Sequence, residues 1–238
     1  MTRPAPIWSS LKRRETALPE RMDDPHCDLG ALERTYAQFG AVNALVAGWR
    51  RVYGRELRPL MAASRPSTLL DIGCGGGDLA RLLVRWAAQD GLTLRVTGID
   101  ADTRAIAYAR AQPVFSGVQF RQAFSGDLVQ EGVRFDFVVS NHLLHHLTVP
   151  ELSALLWDSE GLARKKVVHS DIGRSLLAYA GFNMLASPLF HASFIREDGL
   201  ISVRRSFTAP ELSGLAPAGW RVRRQFPFRN LLVYEGAP

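Results

Sequence analysis

A chain of 238 residues with 47% hydrophobic and 22% charged side chains can bury a sizeable core, which excludes disorder, collagen-like repetition and a disulfide scaffold. Basic residues outnumber acidic ones 29 to 23, and all but three of the basic residues are arginine. The net charge of +6 leaves a polyanionic partner open, since codon bias explains the arginines equally well.

Cys27 and Cys74 are the only cysteines and stand in no metal-ligand spacing, so a reduced, cytoplasmic setting is expected. The N-terminus, with Trp8 followed by serines and basic residues, has no apolar run of the secretory kind. Residues 1–65 read as a polar arm followed by a helical lid. From 32 to 61, Leu32, Tyr36, Phe39, Val42, Leu45, Val46 and Trp49 recur at steps of three and four, with Gly40, Gly48 and Gly54 as dividing points.

The period changes at Pro66, where a second unit, 66–238, begins. Strands are predicted at 67–72, 92–99, 118–120, 135–140 and 167–169, separated by helices at 78–89, 103–111 and 150–157. Residues 175–195 carry no charge for 21 positions, but Pro188, Asn183, His191 and three serines make a poor membrane span. They read as a buried helix or pocket wall within a lipophilic insertion at about 174–207. Thr208, Pro210 and Glu211 start another helix, and 220–226 with 231–234 close the chain as an antiparallel hairpin. The fold class expected is α/β: a doubly wound, mainly parallel seven-stranded sheet with a C-terminal hairpin and an N-terminal helical lid. Ligands of such sheets sit at the C-terminal strand ends, here 72–77, Asp100, 141–146 and 169–171.

Asp71-Ile72-Gly73-Cys74-Gly75-Gly76-Gly77-Asp78 is the strongest signal. Its glycines allow a tight turn and close ligand approach at a helix N-terminus. Asp100 ends the next strand 23 residues past Gly77, where an acid can take both ribose hydroxyls. The acid before the first glycine, Asp71, suits a ligand bearing an ammonium or sulfonium and disfavours a phosphate. At these residues the chain resembles the class I S-adenosylmethionine-dependent methyltransferases. Leu69 to Gly77 is similar to their first motif, Gly98-Ile99-Asp100 to their second, and Phe135 to Asn141 with Leu144 to Leu147 to their fourth-strand motif. Leu18 to Asp24, Val42-Asn43 and Ser170 to Tyr179 resemble a bacterial subgroup of small-molecule enzymes of the quinone and polyketide type.

The resemblance implies S-adenosylmethionine as cofactor. Asp71, Gly73, Cys74 and Gly75 would line its methionine part, Asp100 its ribose and Ala101 its adenine, with Asn141 and His142 near the sulfonium. The family's adenine-binding Gly-Asp pair is replaced by Ala123-Phe124, with Gly126-Asp127 three residues on. Two arrangements stay open: Phe124 packs on the adenine, or a loop insertion brings Asp127 to the place. His142, His145 and His146 are candidate bases, and Asp171 either orients a histidine or caps a helix. No third ligand stands in spacing with His142 and His146, so no metal is expected.

The acceptor expected is a lipophilic small molecule, methylated at a phenolic or enolic oxygen. Leu176, Leu177, Tyr179, Phe182, Met184, Leu185, Leu189, Phe190 and Phe194 are available to line its pocket. C-methylation of a quinone- or polyketide-like acceptor, RNA methylation and a non-catalytic module are the alternatives. Residues 1–65 and 173–238 each carry net +4 and 66–172 net −2, so the basic excess lies outside the cofactor half and ceases to argue for nucleic acid. It leaves open an anionic acceptor met by Arg50, Arg51 or Arg174.

Overall fold

A computed structural model describes residues 11–45, 47–189 and 192–236. Its sheet comprises β1 (Ser67–Ile72), β2 (Leu94–Asp100), β3 (Val118–Gln122), β4 (Phe135–Asn141), β5 (Ala163–Ile172), β6 (Trp220–Gln225) and β7 (Arg229–Glu235), in the order β3-β2-β1-β4-β5-β7-β6. β7 runs antiparallel to both neighbours, and the other pairs are parallel. The helices are α1 (Leu29–Leu45), α2 (Asp78–Gln89), α3 (Thr103–Ala111), α4 (Ser125–Gln130), α5 (Val149–Leu162), α6 (Leu176–Leu189), α7 (Ile195–Arg205) and α8 (Ala209–Leu215), with a shorter helical stretch at 49–60.

The central strands are apolar on both faces because both faces are covered. Leu69, Val96, Phe137 and Val139 point to one side, against α2 and the 49–60 stretch. Leu70, Ile72, Ile99 and Val138 point to the other, against α5, Phe207 and Trp220. Each such side chain stabilises the fold by about 1.5–3 kcal/mol on burial.

Local chemistry accounts for several boundaries. Thr148 and Thr208 cap α5 and α8, each in a reciprocal box with the glutamate three residues on. Gly48 breaks the N-terminal helical region, whereas Gly40 sits inside α1 and Gly54 inside the 49–60 stretch. β5 begins four residues earlier than predicted. Its charged start, Arg164-Lys165-Lys166, reads as loop, yet Lys166 pairs with Glu56 and Glu235, and Lys165 with Asp136. The short helix α4 is an addition.

Val46, Phe190, His191 and residues 1–10 lie outside the described residues, as do the side chains of Val42, Leu45, Leu185, Pro188 and Leu189. Among the described residues, no helix is long and apolar enough to cross a membrane.

Candidate active site

The C-terminal ends of β1, β2 and β4 open onto a cavity of about 730 Å³. Gly73 lies at φ +69°, and a Cβ there would come within 3.1 Å of Leu143. Gly77 lies at φ +76°, and a Cβ there would sit 2.2 Å from the Phe120 ring. Glycine is thus required at both ends of the turn. Asp100 braces the turn from β2: its carboxylate accepts from the Gly75 N–H and the Asp102 N–H, both at 2.9 Å.

Asp71, Gly73, Cys74, Gly75, Asp100, Ala101, Phe124 and Asn141 all line the cavity. Asp71 is buried, and its Oδ2 has no hydrogen-bond partner. Burial pushes the Asp71 carboxyl well above its ordinary range, and Asp78 and Asp100 push it further. Burial raises Asp78 and Asp100 as well. Three carboxylates that resist ionisation, one with an orphaned oxygen, fit a ligand that brings positive charge and hydroxyl groups.

Phe124 precedes α4 and remains 68% exposed at the cavity edge. Asp127 accepts from the Phe124 N–H at 2.8 Å, so its carboxylate is engaged at the start of its own helix.

A chain of side-chain hydrogen bonds crosses the cavity floor. Arg229 on β7 donates to Asn141 Oδ1 (2.7 Å), Asn141 to Asn43 Oδ1 (2.6 Å), and Asn43 to Asp78 Oδ2 (2.6 Å). Each amide is held by both of its ends, which fixes Asn141 at the strand terminus.

His142 follows Asn141 at φ +57°, a rare region for a side chain, and lines the cavity. Its N–H is held by Ser170 O at 3.0 Å. Burial and the Arg229 guanidinium keep this imidazole well below its usual pKa, so it is neutral near pH 7. His145, on the short turn Leu144–His146, is buried between two carboxylates. Asp171 receives its Nδ1 at 2.9 Å, and Glu20 Oε1 lies 3.3 Å from its Nε2. Burial opposes the charge, but the two acids outweigh it and hold this imidazole up at about 9. Asp171 also accepts from the His145 N–H and does not line the cavity. His146 does line it, with Nδ1 3.3 Å from Asp23 and Nε2 3.7 Å from Glu20. His169, at a predicted site position, instead belongs to the core, bonded to Ser140 and stacked on Trp220.

Sequence reasoning missed Glu20 and Arg229 as site residues. Glu20 lies in the segment that marked the bacterial subgroup, which is its sequence signal; Arg229 has none. Arg14 straps the arm down, donating to the carbonyls of Arg205, His145 and Leu147.

The acceptor-side wall differs from expectation. Of the apolar residues proposed for it, Phe182 faces the cavity, whereas Leu176, Leu177 and Met184 on α6 are exposed to solvent. Met22, Phe39, Leu143, Leu147 and Ile195 supply apolar surface instead. Among the described residues lining the cavity, nine are carboxylates and none is Arg or Lys. Arg174 is buried against Glu211 and Ser206, and Arg51 donates to Phe226 O, so neither meets a ligand here.

A strand-end glycine loop, a bracing acid on β2 and a cavity between sheet and lid define a class I methyltransferase, and the comparisons agree. Residues 69–166 match the family described as a methyltransferase domain. The ubiquinone biosynthesis O-methyltransferase of Xanthomonas axonopodis pv. citri is 30% identical over 189 residues, 71% of this chain and 76% of that protein. The corresponding protein of Methylobacterium sp. is 34% identical over 60% of this chain and 56% of its own length. The match covers 34% of the Arabidopsis thaliana protein, so the chain spans from about a third to about three quarters of the length of these relatives. Human N-acetylserotonin methyltransferase, solved with S-adenosylmethionine, shares the fold with a TM-score of 0.62, at 13% identity over 97% of this chain and 66% of that one. The chain belongs to the class I S-adenosylmethionine-dependent methyltransferase family.

Proposed function

We propose that this protein transfers a methyl group from S-adenosylmethionine to a phenolic or enolic oxygen of a lipophilic small molecule. The observation that carries the reading is one continuous cavity, lined by Asp71, Asp78 and Asp100 at the glycine loop and by Met22, Phe39 and Ile195 together with Glu20, His145 and His146 on the lid side, with His142 on its wall. The bound cofactor would supply a methyl group on a sulfonium, an electrophile that needs an aligned nucleophile.

Asp71 and Asp78 offer the negative charge that the cofactor's cationic groups require, and Asp100 retains acceptor capacity for ribose hydroxyls while bracing Gly75. Asn141, locked by Arg229 and Asn43, presents a fixed polar edge to the cavity. His142 receives the acceptor's hydroxyl proton on an imidazole nitrogen. Asp171 Oδ1, 4.0 Å from His142 Nδ1, partly offsets the burial and the Arg229 guanidinium that oppose that charge. Asp171 also positions the turn that carries His145 and His146.

Oxygen as the methylated atom is supported by the curated relatives, which are O-methyltransferases. The acidic cavity lining argues against an RNA acceptor and against an anionic one. A cytoplasmic setting is supported by two free cysteines.

Replacing His142 by Asn, which tolerates a positive φ, is expected to lower turnover of a phenolic acceptor by about 10²–10⁴-fold. Cofactor affinity should stay within a few-fold of the parent. Unchanged turnover would remove His142 from the proton-transfer role.

A further inference from the structure

Glu20, His145 and His146 meet on the cavity wall where the arm packs on the turn after β4. We propose that these three residues bind one divalent first-row transition-metal ion of the Zn²⁺ type.

Three ligand atoms converge there. Glu20 Oε1 is 3.3 Å from His145 Nε2, Glu20 Oε2 is 3.7 Å from His146 Nε2, and one atom from each residue lies within 4.8 Å of the others. Tetrahedral bonds of about 2.0–2.1 Å place neighbouring ligand atoms about 3.4 Å apart. The observed spacings bracket that edge.

The ring orientations make the same point. Each imidazole turns its Nδ1 toward a carboxylate, His145 to Asp171 at 2.9 Å and His146 to Asp23 at 3.3 Å. Such a partner fixes the tautomer with Nε2 as the free donor and raises its basicity, as around metal-bound histidines in general. Two different carboxylates perform this for two adjacent histidines, and both Nε2 atoms face the same third acid.

Charge balance points to a cation. Glu20, Asp23 and Asp171 bring three negative charges, and Arg205, 3.2 Å from Asp23, brings one positive. Metal binding would displace the His145 proton, and with both imidazoles then neutral the group carries net −2, which one divalent ion offsets. Two nitrogens and one carboxylate select Zn²⁺, Co²⁺ or Fe²⁺ over Mg²⁺ and Ca²⁺, which favour all-oxygen shells. Three protein ligands leave coordination open, and His146, about a quarter exposed, faces the cavity. If the methyltransferase reading holds, that open position faces the cavity that cofactor and acceptor would share. The ion would also cross-link the arm, through Glu20, to the turn after β4.

The test is calorimetric titration of the chelator-treated full chain with ZnCl₂ and with CoCl₂. One ion per chain is expected. Glu20→Gln and His146→Asn should each weaken it tenfold or more, and Asp23→Asn by about 10–100-fold, the usual loss at an outer carboxylate. His146 is only partly buried, so His146→Asn keeps the test informative should Glu20→Gln fail to fold. Absence of a stoichiometric ion overturns the proposal, and so does an ion whose affinity His146→Asn and Glu20→Gln leave unchanged. S-adenosylmethionine affinity, measured on the same preparations, reports separately on the methyltransferase reading.

Discussion

The two halves of the cavity are built differently. The glycine-loop half rests on the ends of neighbouring parallel strands: Asp71 pairs with Gly98 and Val139, so Asp100 and Asn141 stand two residues further along β2 and β4. The acceptor half is assembled from the arm, α1, the turn at Leu144–His146 and α7, joined by side-chain contacts such as Arg14 to His145 O and Ser202 to Glu20. One half inherits its geometry from the sheet. The other depends on a strap staying down.

Breaking the sheet should therefore damage both halves, and breaking the strap only one. Phe137→Ala, in the fully buried centre of β4, is expected to cost about 3–5 kcal/mol in denaturant unfolding. A loss under 1 kcal/mol would show that the strand core does not set the site.

Arg14→Ala removes three hydrogen bonds to carbonyls and a contact 3.8 Å over the Phe207 ring. It should raise the acceptor KM by about tenfold, the scale of one charged hydrogen bond, with cofactor Kd unchanged. An equal change in both constants would erase the distinction between the halves.

The smallest effect concerns Asp71. Its folded-state pKa is raised, so ionisation is penalised in the fold and stability falls as pH rises above the ordinary carboxylate range. Asp71→Asn should then stabilise the ligand-free protein at pH 7 by about 1 kcal/mol, read as a higher Tm, with little gain at pH 4. The same variant should bind the cofactor more weakly. A lower Tm at pH 7 would mean that the carboxylate has a partner in the ligand-free state.

The same contrast explains what could be read in the sequence. Asp71 to Gly77 and Asp100 are legible because strand, turn and helix follow one another and the acid falls at a fixed distance. α4 is not, because six residues containing Gly126 carry no helical period, and Asp127 is spent on the Phe124 N–H. α6 misleads in the other direction: an uncharged run suggests a pocket wall, yet Leu177 and Met184 face solvent. Glu20 stands 125 residues from His145, so the sheet and arm must be folded before the two meet. Arg229 reaches Asn141 only because β7 inserts antiparallel beside β5.

The acidic loop half is the proposed seat of S-adenosylmethionine. Calorimetric titration of the wild-type chain and of Asp100→Asn tests that placement directly. One cofactor per wild-type chain is expected, with an affinity lower by about 10–100-fold in the variant, the scale of 1.5–3 kcal/mol for hydrogen bonds to a charged group. Absence of binding by the wild type at millimolar cofactor, or equal affinity in the variant, would contradict it.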